Sequence, residues 1–427
     1  MNSKRFKETL EILNEYTEPG EGVNRLAYSN AEQQAIKFLI EEFEKEGLSI
    51  REDAAGNIIA RKPGENDNLP VVAFGSHIDT VYEGGQFDGS IGVIAALETI
   101  RYLNENDITT KAPVEVIIFA CEESSRFGFS TVGSKAMSGR LNTAQLSQLQ
   151  DKDGISFAKA IAERNLNINH FNQAKRTKND LAAFVELHIE QGPRLENESK
   201  EIGIVTSIAA PVRYQLTVKG EASHSGTTPM NYRKDAFSGA AEIALELEKM
   251  TLSEARHGTV ATIGECTVSP GAINVIPGIV EMKVDIRGTS VESIKRVRDK
   301  FSEIIEEVQR NRMLGIEVNL ISEETPVDMN KNIINRLEKQ CEMNTIKYIK
   351  MPSGAGHDAM NMANICPTAM IFVPSENGLS HNPKEYTSIG NIMNGVVLLK
   401  DIIIDLADNI NEKGEKENAE QQFKSAL

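Results

Sequence analysis

Two adjacent glutamates, Glu122 and Glu123, close an apolar run that contains Val114, Val116, Ile117, Ile118 and Phe119. Like charges within a few ångströms raise the pKa of at least one partner unless cations neutralise them. A metal centre would neutralise them and divide their work, one as ligand and the other as proton carrier. The plain alternative for a bare Glu-Glu pair is a solvated acidic strand end, so the rest of the chain must supply the partners. His77 and Asp79 stand two apart, on the same side of an extended chain. A metal-bound imidazole needs its other nitrogen held, and Asp79 is the expected orienter of His77. Asp88 follows between Gly85 and Gly89 at a helix start, where it could ligate a metal or simply cap the helix. His188 ends a further strand pattern, and His381 sits in a turn after the last strand. His224, in a Ser/Gly/Pro-bracketed loop, is a candidate donor to a developing oxyanion or an ordinary loop histidine. Arg287 could hold a carboxylate with two hydrogen bonds, or could be a surface strand arginine.

The elements that must position these groups read as an α/β sheet. Val71–His77 and Val114–Cys121 are short apolar runs suited to buried strands. A helix is expected from Ala31 to Glu46, closed by Gly47, and another from Asp88 to Asn106. In such sheets functional groups collect at the carboxyl ends of strands, where His77 and the glutamate pair lie. Near residue 212 the pattern changes to strand, helix, two strands, helix and strand, which is the split βαβ or ferredoxin-like order. The expected domains are therefore a discontinuous catalytic domain (1–212 and 327–412) and an inserted domain (213–326), with a charged, frayed tail at 413–427.

The chain has 427 residues, 40% of them hydrophobic, enough for large cores. Its formal net charge of −16 and the lack of a basic stripe argue against a nucleic-acid groove. No apolar run approaches the ~18 residues of a membrane span, and no apolar stretch follows the charged start Met1–Lys7, so a soluble cytoplasmic protein is expected. The cysteines, Cys121, Cys266, Cys341 and Cys366, lack metal or redox spacing and are expected to be buried free thiols. His170 and His257 are expected at the surface, and His357 and Asp358 receive no role.

The segments GSHIDTV, GGQFDGSIGV, ACEESSRFG, ELHIEQGP, ASHSGTTPM, GAINVIPG, DIRG, SGAGHDA and GLSHNPKEYT run from residue 75 to residue 387. With them the chain resembles the dinuclear-metal superfamily of aminoacylases, carboxypeptidases and desuccinylases. More closely it resembles the amidase branch of N-carbamoyl-L-amino acid hydrolases, β-ureidopropionases and allantoate amidohydrolases. The resemblance implies that His77, Asp88 and His188 hold one metal ion and that Asp88, Glu123 and His381 hold a second, Asp88 bridging. Glu122 would be the general base and later the general acid. Gln191, Asn274 and Gly356 would contact the substrate, a small ureido acid. His224 would reach the active site of a partner subunit, making the enzyme a homodimer with the insert as lid and dimerisation domain. Histidine at position 188, commonly acidic in the peptidase branches, favours the amidases. Histidine and carboxylate ligands suit Zn²⁺ or Mn²⁺, and also Co²⁺ or Ni²⁺.

Overall fold

A computed structural model describes residues 1–410, so the expected tail at 413–427 lies outside the described residues. The described chain divides into two compact units, one of Met1–Thr206, Met329–Met351 and residues 357–410, the other of Ser207–Asp328 with Pro352–Gly356. The second unit starts before the expected residue 213 because its first strand, Ala210–Lys219, does. It takes in Pro352–Gly356 because Ala209 N–H donates to the Ser353 carbonyl at 2.9 Å.

A mixed sheet, built almost wholly from the first unit, includes in order Ser49–Glu52, Ile58–Lys62, Val114–Phe119, Val71–His77, Leu181–Ile189, Thr368–Val373 and Ile202–Ile208. The central four strands are mutually parallel where they pair. They are mainly apolar, with Ser76, His77, Glu115, Glu186, His188 and Thr368 as buried polar exceptions, and every residue of Val71–His77, Val114–Phe119 and Thr368–Val373 is buried. Parallel pairing puts their carboxyl ends on one side, with His77 opposite Phe119 and His188 opposite Phe372. The helix Ser90–Glu105 buries Val93, Ile94, Ala95, Ala96 and Leu97 completely. Ile389–Asp408 packs the helically spaced Ile392, Val396, Leu399 and Ile403. Between Cys121 and Ala174 short helices gather around Phe127, Phe157 and Phe171 in a separate apolar cluster that no periodicity announced.

The second unit is a four-stranded antiparallel sheet in the order Gly315–Glu323, Ala210–Lys219, Ile279–Gly288, Val260–Ser269. Fourth, first, third and second in chain order is the ferredoxin-like arrangement. Helices Ala236–Glu254 and Val291–Arg312 pack on it around Leu216, Ile243, Met282, Val284, Phe301 and Ile305. Among the described residues no helix is long and apolar enough to cross a membrane. All four cysteines are free; Cys121, Cys341 and Cys366 are buried, but Cys266 is exposed, contrary to expectation, because it lies on the outermost strand Val260–Ser269.

Candidate metal centre

His77 is the last residue of its strand and is buried. Its Nδ1 lies 2.9 Å from the backbone carbonyl of Asp79. The Asp79 carboxylate is farther, at 3.7 Å, and instead accepts the N–H groups of Glu122 (3.2 Å) and Glu123 (3.0 Å). The expected orienting role of Asp79 is thus corrected: its carbonyl fixes the histidine and its carboxylate fixes the glutamate pair. Burial, followed by Glu32 and Glu123, pushes the Asp79 carboxyl well above the ordinary range. His188, also buried, has Nδ1 2.9 Å from the Ile189 carbonyl.

A carbonyl only accepts, so each ring carries its hydrogen on Nδ1 and, when neutral, aims a lone pair from Nε2. Both Nε2 atoms face the same atom, Asp88 Oδ1, at 3.6 Å from His77 and 3.0 Å from His188, and the Gly89 N–H also points at His188 Nε2 from 3.2 Å. That oxygen is buried and receives no hydrogen bond. Three acceptor atoms facing one another need a cation among them, either a ring proton or a metal ion. Burial would lower His188, but Asp88 and Glu186 outweigh it and lift the ring to about 9. For His77 burial prevails and lowers the pKa. The donor set fits a divalent cation, and the ligand atoms of His77, Asp88 and His188 lie within 4.8 Å of one another.

Asp88 is not a helix cap: Gly89 occupies that place, with no side-chain cap bond. Gly89 has φ +63°, and a Cβ there would come within 2.4 Å of the His77 ring. The other Asp88 oxygen, Oδ2, accepts from Gln191 Nε2 (2.7 Å) and Ser380 Oγ (2.8 Å). It also lies 3.5 Å from His381 Nε2, which is 3.1 Å from Glu123 Oε1. Asp88, Glu123 and His381 form a second group of ligand atoms within 4.8 Å. His381 is half-exposed, and its hydrogen bonds to Asp88 and Glu123 raise it to about 11. Burial would raise Asp88, yet His188, His381 and His77 together hold it well below the ordinary carboxylate range.

The glutamate pair follows Cys121, whose φ of +52° turns the chain out of its strand. Val132 N–H to the Cys121 carbonyl (2.9 Å) and Thr131 N–H to the Glu122 carbonyl (2.8 Å) secure that turn. Glu122 is buried, lies 3.9 Å from His77 Nε2 and belongs to neither ligand group. Burial, then Glu123 and Asp358, push its pKa well above the ordinary range.

Gln191, expected at the substrate, spends its amide N–H on Asp88, while its Oε1 is buried without a hydrogen-bond partner. His224, Asn274, Arg287 and Gly356 belong to the second unit. Exposed His224 pairs with Val275 in a short ribbon, and Ser225 N–H donates to the Asn274 carbonyl at 3.0 Å. The N–H groups of Gly226 (3.0 Å) and Thr227 (3.3 Å) both point at His224 Nδ1. That nitrogen is therefore the acceptor and Nε2 carries the hydrogen. Arg287 makes a fork with Asp285, Nε to Oδ1 at 3.0 Å and Nη2 to Oδ2 at 2.9 Å.

Several supporting groups were not singled out from sequence. Buried Glu385 accepts from Phe87 N–H and Asp88 N–H, its other oxygen lies 3.0 Å from Ser380 Oγ, and burial with Asp88 nearby lifts it to about 7. Fully buried Arg25 holds the Ile78 carbonyl at 2.7 Å beside the His77 strand end. Glu186, His188 and His357 form a third close group. Its carboxylate already accepts Ser76 Oγ (2.7 Å) and Ala359 N–H (3.0 Å), and His357 packs edge-on against His188 at 4.6 Å. The only available signal was the buried-polar character of these residues inside otherwise apolar or Gly-rich segments.

Residues 73–405 match the sequence pattern of Peptidase family M20/M25/M40. The chain is 47% identical to an uncharacterised hydrolase of Haemophilus influenzae over 96% of this chain and 99% of the relative. It is 39% identical to an N-carbamoyl-L-amino acid amidohydrolase of Geobacillus stearothermophilus (91% and 95% covered). Identity is 36% to an allantoate amidohydrolase of Escherichia coli (94% and 97% covered). Among solved structures, an amidase of the hydantoinase/carbamoylase family from Burkholderia multivorans superposes with a TM-score of 0.87 at 31% identity, covering 96% of this chain and 99% of that one.

Proposed function

This chain belongs to Peptidase family M20/M25/M40, and on that premise we propose that it is a metal-dependent amidohydrolase cleaving the C–N bond of a ureido group in an N-carbamoyl-L-amino acid. One observation carries the reading: a buried, unligated carboxyl, Glu122, stands beside two ligand groups that share Asp88. In this reading His77, Asp88 and His188 hold one divalent ion, and Asp88, Glu123 and His381 hold the other, Zn²⁺ or Mn²⁺ in the first instance. When bound, such a pair supplies a Lewis-acid pole for the substrate carbonyl and acidifies the attacking water.

A ureido carbonyl is a poor electrophile because two nitrogens feed it electron density, so proton transfer must be well placed. Glu122 takes a proton from the water and delivers it to the leaving nitrogen, which departs as ammonia. His224, with its hydrogen on Nε2, is a donor for the oxyanion. Arg287 serves the substrate carboxylate with the N–H groups that Asp285 leaves unengaged. Asn274 and Gly356 add polar contacts, and Gln191 contributes mainly by holding Asp88. The insert acts as lid and dimerisation domain, the working form being a homodimer.

The test is ammonia release from N-carbamoyl-L-amino acids, N-carbamoyl-β-alanine and allantoate by metal-reconstituted protein. The reading expects the highest kcat/KM on an N-carbamoyl-L-amino acid. Preference for allantoate would move the substrate within the same chemistry, and hydrolysis of dipeptides alone would refute the ureido assignment.

A further inference from the structure

We propose that Glu385 and Ser380 form a strap that positions Asp88 and His381, and thereby sets the affinity of the Asp88–Glu123–His381 group for its cation. The inference rests on the metal reading above and assigns work to two residues outside the ligand sets.

Glu385 is buried, with 4% of its surface exposed, although it lies close to another carboxylate. Placing an acid there costs free energy unless its oxygens are used. Both are. Oε1 accepts the N–H groups of Phe87 (2.9 Å) and Asp88 (3.0 Å), fixing the backbone that carries Asp88. Oε2 lies 3.0 Å from Ser380 Oγ, which reaches Asp88 Oδ2 at 2.8 Å. Ser380 immediately precedes His381, which has φ +54°, and Glu385 N–H donates to the Asn382 carbonyl (2.9 Å), closing the turn that directly follows this histidine. A single carboxyl thus joins the backbone of one ligand, the side chain of that ligand and the turn of another.

The surroundings are shaped for it. A Cβ on Gly85 would fall 2.2 Å from the Glu385 carboxyl, so the turn approaches as closely as glycine permits. Phe87 and Tyr386, next to the strapped residues, meet edge-on at 5.8 Å. With Oδ2 held by Ser380 and Gln191, rotation of the Asp88 carboxylate is fixed and Oδ1 stays turned to His77 and His188. Removing partners that orient a ligand typically costs about 10- to 100-fold in metal affinity.

The test is calorimetric titration of metal-free protein with Mn²⁺, for wild type, Ser380→Ala, Glu385→Gln and Glu385→Ala. His381→Ala marks which binding event belongs to the group, and thermal unfolding of each metal-free protein reports general damage. Glutamine can keep the carbonyl on the two N–H groups and turn its amide toward Ser380 Oγ, so Glu385→Gln should bind within a few-fold of wild type. Ser380→Ala and Glu385→Ala should weaken the event lost in His381→Ala by about 10- to 100-fold, and more than the other event. Wild-type affinities in both alanine variants would overturn the strap. So would equal weakening of both events accompanied by a matching loss of metal-free stability. A wild-type protein binding fewer than two ions would overturn the metal reading and the strap with it.

Discussion

A carboxyl can carry a proton when it is close to the reacting atoms and not committed as a ligand. Of the adjacent pair, Glu123 Oε1 is engaged with His381 at 3.1 Å, while Glu122 stands 3.9 Å from His77 Nε2 and is raised by burial and its acidic neighbours. Nearby cations would pull that pKa back toward the working range. Glu122→Gln should therefore keep its full complement of metal, measured as ions per chain, while turnover falls by about 10²- to 10⁴-fold. Loss of an ion from this variant would make Glu122 a ligand instead. The residue types were legible in sequence because metal and proton chemistry needs histidines and carboxylates, and here Gly and Ser bracket them. The Asp79 carbonyl was not legible, since backbone atoms carry no sequence signature. Glu385 was hidden for another reason: its partner Asp88 is 297 residues away.

At the scale of elements, the site depends on how strand ends and turns meet. Val71–His77 and Thr368–Val373 could be bounded from their apolar runs, because strands buried on both faces read as nearly continuous hydrophobic stretches. The ferredoxin-like order was likewise readable from alternating patterns between two long amphipathic helices. The 124–180 segment was not, because its helices are too short for periodicity and cohere through aromatic contacts such as Phe127 with Phe157 at 5.0 Å. The start of the helix after Asp88 is set by Gly89, where φ is +63° and the His77 ring leaves no room for a side chain. Gly89→Ala should displace that ring and lower metal occupancy at the His77–Asp88–His188 group, measured by metal titration. Occupancy equal to wild type would show that the turn is not constrained as described.

For the whole molecule, the metal groups lie in one unit and His224, Asn274 and Arg287 in the other. If His224 serves the neighbouring subunit, an inactive Glu122→Gln protein mixed 1:1 with His224→Ala should regain activity at up to about a quarter of its sites in a random homodimer exchange. No recovery, with exchange verified by differently tagged chains, would place a complete site within each chain. The most direct measurement of all follows ammonia release from an N-carbamoyl-L-amino acid while metal-free protein is titrated with Mn²⁺ or Zn²⁺. Release should be absent without metal and should rise until two equivalents per chain are bound. Full turnover without metal, or a maximum at one equivalent, would contradict the dinuclear assignment built on Glu122 and Asp88.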